Sequence, residues 1–91
     1  MSDRSLLLEL FSEIDEAIRR IERRFVGIHS PDDFMVDDNG LDRLDGISMM
    51  LILISENIRR IEKIAGADFL GQYPEIPWSS IKGIRNILAH D

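Results

Sequence analysis

Arg85, Asn86 and His90 stand close together near the end of this chain, on a stretch that is otherwise apolar. An arginine grips phosphate with a fixed fork of donors, and a histidine titrates near neutral pH. Metal-free RNA cleavage needs both kinds of group, one to stabilise charge on phosphorus oxygens and one to move protons. On a helix, Lys82, Asn86 and His90 recur at steps of four and share one face. Arg85 precedes His90 by five positions, which sets the two directions about 140° apart. One bare helix does not place them side by side, and a second copy of the helix supplied by a dimer partner eases the geometry. The same residues admit a plainer reading: a solvated arginine, and a histidine favoured by the negative end of a helix.

Other candidates are weaker. Glu56 is the one acid set beside a long apolar run, either an exposed helix residue or a buried acid that holds Arg85 or Arg59. His29 reads as a residue at the end of the first helix. The basic stretches Arg19-Arg20 with Arg23-Arg24, and Arg59-Arg60 with Lys63, read as solvated faces near glutamates, and either can line an RNA path. Two distant histidines without cysteine do not make a zinc ligand set, and no glycine-rich phosphate loop is present. No metal or cofactor is expected.

Ninety-one residues with 44% apolar content make one domain, residues 1–91, with a small core that a second subunit would help to cover. The net charge of −6 argues against a general nucleic-acid binder. That charge is uneven: Asp32, Asp33, Asp37, Asp38, Asp42 and Asp45 stand against Arg43 alone, so the rest of the chain is close to neutral. An acidic lobe on such a body leaves room for a local basic cleft. Cysteine is absent, which removes disulfides and thiol nucleophiles. The start lacks the basic leader and apolar stretch of a signal peptide, and the longest apolar run, Met49 to Ile54, is too short to span a bilayer. These features predict a soluble, cytoplasmic protein with no membrane segment.

The elements that must carry the candidate residues are helical. Leu7, Leu10, Ile14, Ile18, Ile21, Phe25 and Ile28 recur at steps of three and four, one face of a first long helix. Ser30-Pro31-Asp32-Asp33 carries the signals of a new helix start, and a short turn closed by Asn39-Gly40 is predicted. Leu44, Ile47, Leu51, Ile54, Ile58, Ile61 and Ala65 form the stripe of a second long helix that stops at Gly66. Its first half is apolar nearly all round, so it is either the centre of a bundle or, with Met49, Met50 and Leu53, a homodimer interface. Asp68 to Gln72 suit one further turn, and Tyr73 to Pro77 an extended link, because residues before proline avoid helical angles. Pro77 opens a last helix with Trp78, Ile81, Ile84 and Leu88 as its buried stripe. The fold class is all-α: an antiparallel bundle of two long helices, a final motif-bearing helix and short connecting helices.

Tyr73 to Asp91, with its Pro74-Glu75-Ile76-Pro77-Trp78 entry followed by Arg85-Asn86 and then His90, resembles the signature of HepT-like proteins of the HEPN superfamily. Ile54-Ser55-Glu56 is similar to the Ile-Gly-Glu of that family's central helix. The resemblance runs over essentially the whole chain in helix order. It implies an all-helical homodimer whose Arg/His motifs meet in a cleft between subunits. The implied activity is that of a metal-independent endoribonuclease toxin, acting on RNA and paired with a small nucleotidyltransferase antitoxin. Carried over by residue, Arg85 would stabilise the phosphate with help from Lys82, His90 would be the acid and base, Asn86 would orient one of them, and Glu56 would be a supporting acid. The family pattern usually continues past the aspartate to a tyrosine, the AMP acceptor in such systems, and to a further helix. Here the sequence stops at Asp91, whose carboxylates beside His90 favour a protonated imidazole and repel phosphate, so a weaker nuclease than a tailed form is expected. The alternative function is a catalytically weak HEPN interaction module that binds a nucleotidyltransferase partner or a nucleotide.

Overall fold

The computed structural model describes residues 2–89, the last of these by its backbone alone. Helices account for about four fifths of it and no strand occurs among the described residues. Helix α1 (Asp3–Arg24) and helix α2 (Asp38–Ala65) lie against one another, joined by a 3₁₀ turn (Pro31–Met35). A short α3 (Ala67–Gly71) follows, and α4 (Trp78–Ala89) packs on α2. The body is 45 Å long and about half as wide, as expected when a 28-residue helix sets its length.

Each helix end has a local cause. The Ser2 hydroxyl accepts the amide of Ser5 at 3.1 Å, and Asp3 and Arg23-Arg24 suit the two ends of the α1 dipole. Helix α1 stops at Arg24, earlier than a stripe running on to Ile28 suggests. Gly27 takes a φ of 81°, which turns the chain off the helical path. His29 therefore lies in the connection, five residues past the helix rather than at its end. There its amide and that of Ser30 donate to the Asp33 carboxylate at 2.7 and 3.2 Å. Those two backbone donors hold the Asp33 carboxyl below the ordinary aspartate range, with the His29 bond the larger cause.

The predicted closure of this turn at Asn39-Gly40 is also displaced. The turn ends at Met35, and Asp37 caps α2 by accepting the Gly40 amide at 2.8 Å. Gly40 sits buried in the first turn of α2, where an added Cβ would stand 2.5 Å from the Phe34 carbonyl oxygen. Glycine is there for the close approach of the 3₁₀ turn. Gly66, with φ 90°, ends α2 as its position in the sequence suggests. The link from Tyr73 to Pro77 is a turn rather than the extended link expected: the Ile76 amide donates to the Tyr73 carbonyl at 3.1 Å, with Pro74 in the position that β-turns favour for proline.

The core sits where α1, α2, α3 and the start of α4 converge. Leu10, Ile58, Ile61 and Leu70 are buried, with Ile14, Ile54, Trp78 and Ile81 packed against them. Each such aliphatic side chain contributes about 1.5–3 kcal/mol by leaving water. On α1 the buried line passes through Leu10 and Ala17, while Ile18 is 43% exposed, so the apolar stripe is wider than the surface it buries. Two buried polar side chains fix the register. Asn57, 4% exposed, donates to the Leu10 carbonyl at 3.2 Å and to the Glu13 carboxylate at 3.0 Å, pinning α1 to α2. Ser55, fully buried, donates to the Lys82 carbonyl at 3.0 Å, pinning α4 to α2. The Trp78 indole N–H reaches the carbonyls of Leu70 and Tyr73, which anchors the start of α4 on α3.

Candidate active site

Helix α4 runs antiparallel to α2, and its contacts step along α2 in reverse order. Lys82 meets Glu62, and three residues further on Arg85 meets Glu56. The Arg85 Nε stands 3.3 Å from the Glu56 carboxylate, and both side chains are more than half exposed. Glu56 is thus a surface acid that holds Arg85, one of the two partners its sequence position allowed. In solvent such a pair is a weak tether, and the Arg85 side chain stays 62% exposed.

Lys82, expected to support Arg85, has an ion pair of its own. Its ammonium lies on the Glu62 carboxylate at 2.8 and 3.0 Å in a partly buried pair, directed along α2 away from Glu56. Its backbone carries a second duty. The Lys82 carbonyl accepts both the Ser55 hydroxyl and an Arg59 guanidinium nitrogen, the latter at 2.8 Å. Two donors from α2 on one α4 carbonyl fix the height and roll of the helix that presents Arg85. Asn86 is exposed on α4 and makes no side-chain hydrogen bond among the described residues. His90 and Asp91, the other sequence-predicted members of the site, lie outside the described residues.

Sequence reasoning missed Ser55 and Asn57 as the polar pins, and Arg59 as a second clamp on α4. The available signal was small: one serine and one asparagine interrupting an apolar helix face. Glu56 is one helical turn from Leu53 and two from Met49, so Arg85 is tethered beside the apolar flank of α2. Met49 on that flank is 66% exposed, and Met50 and Leu53 line a shallow groove between α1 and α2 together with Ala17. The apolar circumference of α2 is therefore left open along one side rather than covered by the chain's own helices. His29 lines a separate apolar cleft with Phe25, Phe34 and Leu44, on the part of α2 remote from Glu56.

No helix among the described residues is long and apolar enough to cross a membrane. No match was found among curated proteins or among solved structures. A family model described as ribonuclease HepT-like matches residues 14–91, which takes in the second half of α1 and the whole of α2, α3 and α4. By that match, which covers most of the chain, the protein belongs to the HepT-like ribonuclease family of the HEPN superfamily.

Proposed function

We propose that the chain is a metal-independent endoribonuclease, acting as the toxin of a toxin–antitoxin pair in the cytoplasm, with its active cleft formed between two copies. The observation that carries the reading is the Arg85 guanidinium, open to solvent and held by Glu56 at the edge of an uncovered apolar flank. In the reaction the 2′-hydroxyl of RNA attacks the adjacent phosphorus and the bond to the 5′-oxygen breaks. His90 takes the proton from the attacking hydroxyl, and a protonated imidazole returns one to the departing oxygen. Arg85 stabilises the added negative charge on the phosphoryl oxygens. The products are a 2′,3′-cyclic phosphate and a free 5′-hydroxyl. Asn86, one residue from Arg85, orients the histidine or the phosphate. Lys82 is assigned here to seating α4 through Glu62, rather than to the phosphate. The partner antitoxin is of the nucleotidyltransferase type.

Incubating RNA with the protein in the presence of EDTA tests the chemistry. The expected result is cleavage that leaves cyclic-phosphate ends. Intact RNA, combined with tight binding of a nucleotide or a nucleotidyltransferase, would establish the interaction-module reading instead.

Association is the second expectation. Closing two copies along Met49, Met50 and Leu53 would cover the open flank and bring two Arg85 residues toward one cleft. Met49→Asp places a carboxylate on the most exposed apolar position of that flank, where the isolated subunit tolerates it and a dimer does not. Light scattering should give a dimer for the parent and a monomer for the variant at micromolar concentration. A monomeric parent would remove this part of the proposal.

A further inference from the structure

The cations on the two long helices are not equivalent. On α1, Arg19 is bonded to Asp15 at 2.8 Å and to Glu16 at 3.1 Å, and Arg20 shares Glu16 at 3.4 Å. Arg24 turns back onto the carbonyl of Arg20 at 3.2 Å. Arg19 and Arg20 are thus neutralised locally, while Arg23 and Arg24 lie within ion-pair distance of no acid among the described residues. On α2 the balance is reversed. Arg59, Arg60 and Lys63 are exposed, and none lies within ion-pair distance of an acid among the described residues. The acids of the same helix segment, Glu56 and Glu62, are already occupied by Arg85 and Lys82. One donor of Arg59 is committed to the Lys82 carbonyl, and the rest of its fork faces outward.

The placement is directional. Arg60 is one turn beyond Glu56, and Lys63 is one turn beyond both Arg59 and Arg60. Lys63 stands about 10 Å past Glu56 along the axis of α2, at 1.5 Å per residue. Asp42, in the acidic lobe, stands about 21 Å away in the opposite sense. A polyanion brought to Arg85 is therefore drawn along α2 toward Lys63 and repelled from the other end. The cations occupy one edge of one helix, a length that suits a few consecutive phosphates of a single strand.

We infer that Arg59, Arg60 and Lys63 form a phosphate-binding track that leads single-stranded RNA into the Arg85 site. The inference rests on the ribonuclease reading for its ligand, and it can fail separately from it. The three residues bind backbone phosphates without reading bases, so the track supplies affinity and direction and no sequence preference.

The test is a titration of a labelled single-stranded RNA of mixed sequence with the full chain, followed by anisotropy at several salt concentrations. The Arg60→Gln/Lys63→Gln double variant should bind about tenfold more weakly at low salt. The slope of log affinity against log salt should become shallower by about 0.7 for each phosphate that the variant leaves unneutralised. The control, Arg4→Gln/Arg23→Gln, removes the same net charge from α1 and should match the parent. Equal behaviour of the two double variants would overturn the track, because total charge and not placement would then be at work. A duplex of the same sequence bound as tightly as the single strand would overturn the single-strand assignment. Cleavage by the parent with no reduction in the α2 variant overturns the track alone. Binding that depends on the track, with no cleavage, overturns the nuclease reading alone. A parent that binds no RNA overturns both.

Discussion

Arg85→Ala and His90→Ala should each slow RNA cleavage by about a hundredfold or more while leaving the helical content unchanged, an effect in the range known for removing a charge stabiliser or a proton-transfer group. Arg85 is the more informative of the two because its surroundings are visible. Its side chain is 62% exposed and its ion pair among the described residues is with a half-exposed Glu56, so truncation leaves no cavity and costs little stability. Any drop in activity then arises at the site. Arg85→Lys should recover only a small part of the rate, since an ammonium cannot offer two parallel donors to a phosphate. Single-turnover cleavage with circular dichroism on the same samples checks the pair. An Arg85→Ala protein that cleaves at the parent rate would end the Arg85/His90 mechanism.

The largest drop in stability from a change of one atom group should come from Asn57→Asp. Asn57 is buried and its amide nitrogen serves two acceptors at once, the Leu10 carbonyl and the Glu13 carboxylate. Aspartate at the same place removes both donors and faces two oxygens with a third, at a position where the new charge has no partner. A cost of about 3 kcal/mol or more is expected at neutral pH. Asn57→Leu keeps the branching and the number of side-chain heavy atoms, with bulkier methyl groups in place of the amide, and brings no charge. It should cost about 1–2 kcal/mol, because the Glu13 carboxylate turns to water and the Leu10 carbonyl keeps its helical bond. The two variants also separate by pH. Burial and Glu13 both favour the neutral form of the introduced acid, so its destabilisation should shrink as the pH falls and it takes up a proton. Urea unfolding at neutral and acidic pH would measure this. Equal stability of the Asp and Leu variants would show that Asn57 is not the pin between α1 and α2.

The parts of this molecule legible in the sequence are those that depend on neighbours along the chain. The apolar steps of α1, α2 and α4, the stop at Gly66 and the entry at Pro77 are readable because period and capping are local properties. Where the sequence misleads, a local signal competes with a tertiary one. Phe25 and Ile28 stay in step with the stripe of α1, which hides the break that Gly27 makes. Asn39-Gly40 has the composition of a turn, yet Gly40 is helical and lacks a side chain because the Phe34 carbonyl occupies that space. The site shows the same division. Arg85 stands out by its residue type and its neighbours. That Lys82 belongs to Glu62, twenty positions away, and that Ser55 and Arg59 close on one carbonyl, follow only from the antiparallel pairing of α2 and α4.

That shared carbonyl has a consequence for the lifetime of the site. A 12-residue helix is too short to persist alone in water. The Lys82 oxygen, which inside α4 serves the amide four residues on, also receives Ser55 and Arg59 from α2. Forming α4 and seating it are therefore coupled, and its undocking would be a local opening that uncovers the core face on which Trp78 and Ile81 pack. Arg85 stands beside Glu56 only in the closed state, with α4 seated on α2. A ligand that engages Arg85 in its docked position then stabilises the closed state by mass action, and one that captures the undocked helix silences the site without unfolding the protein.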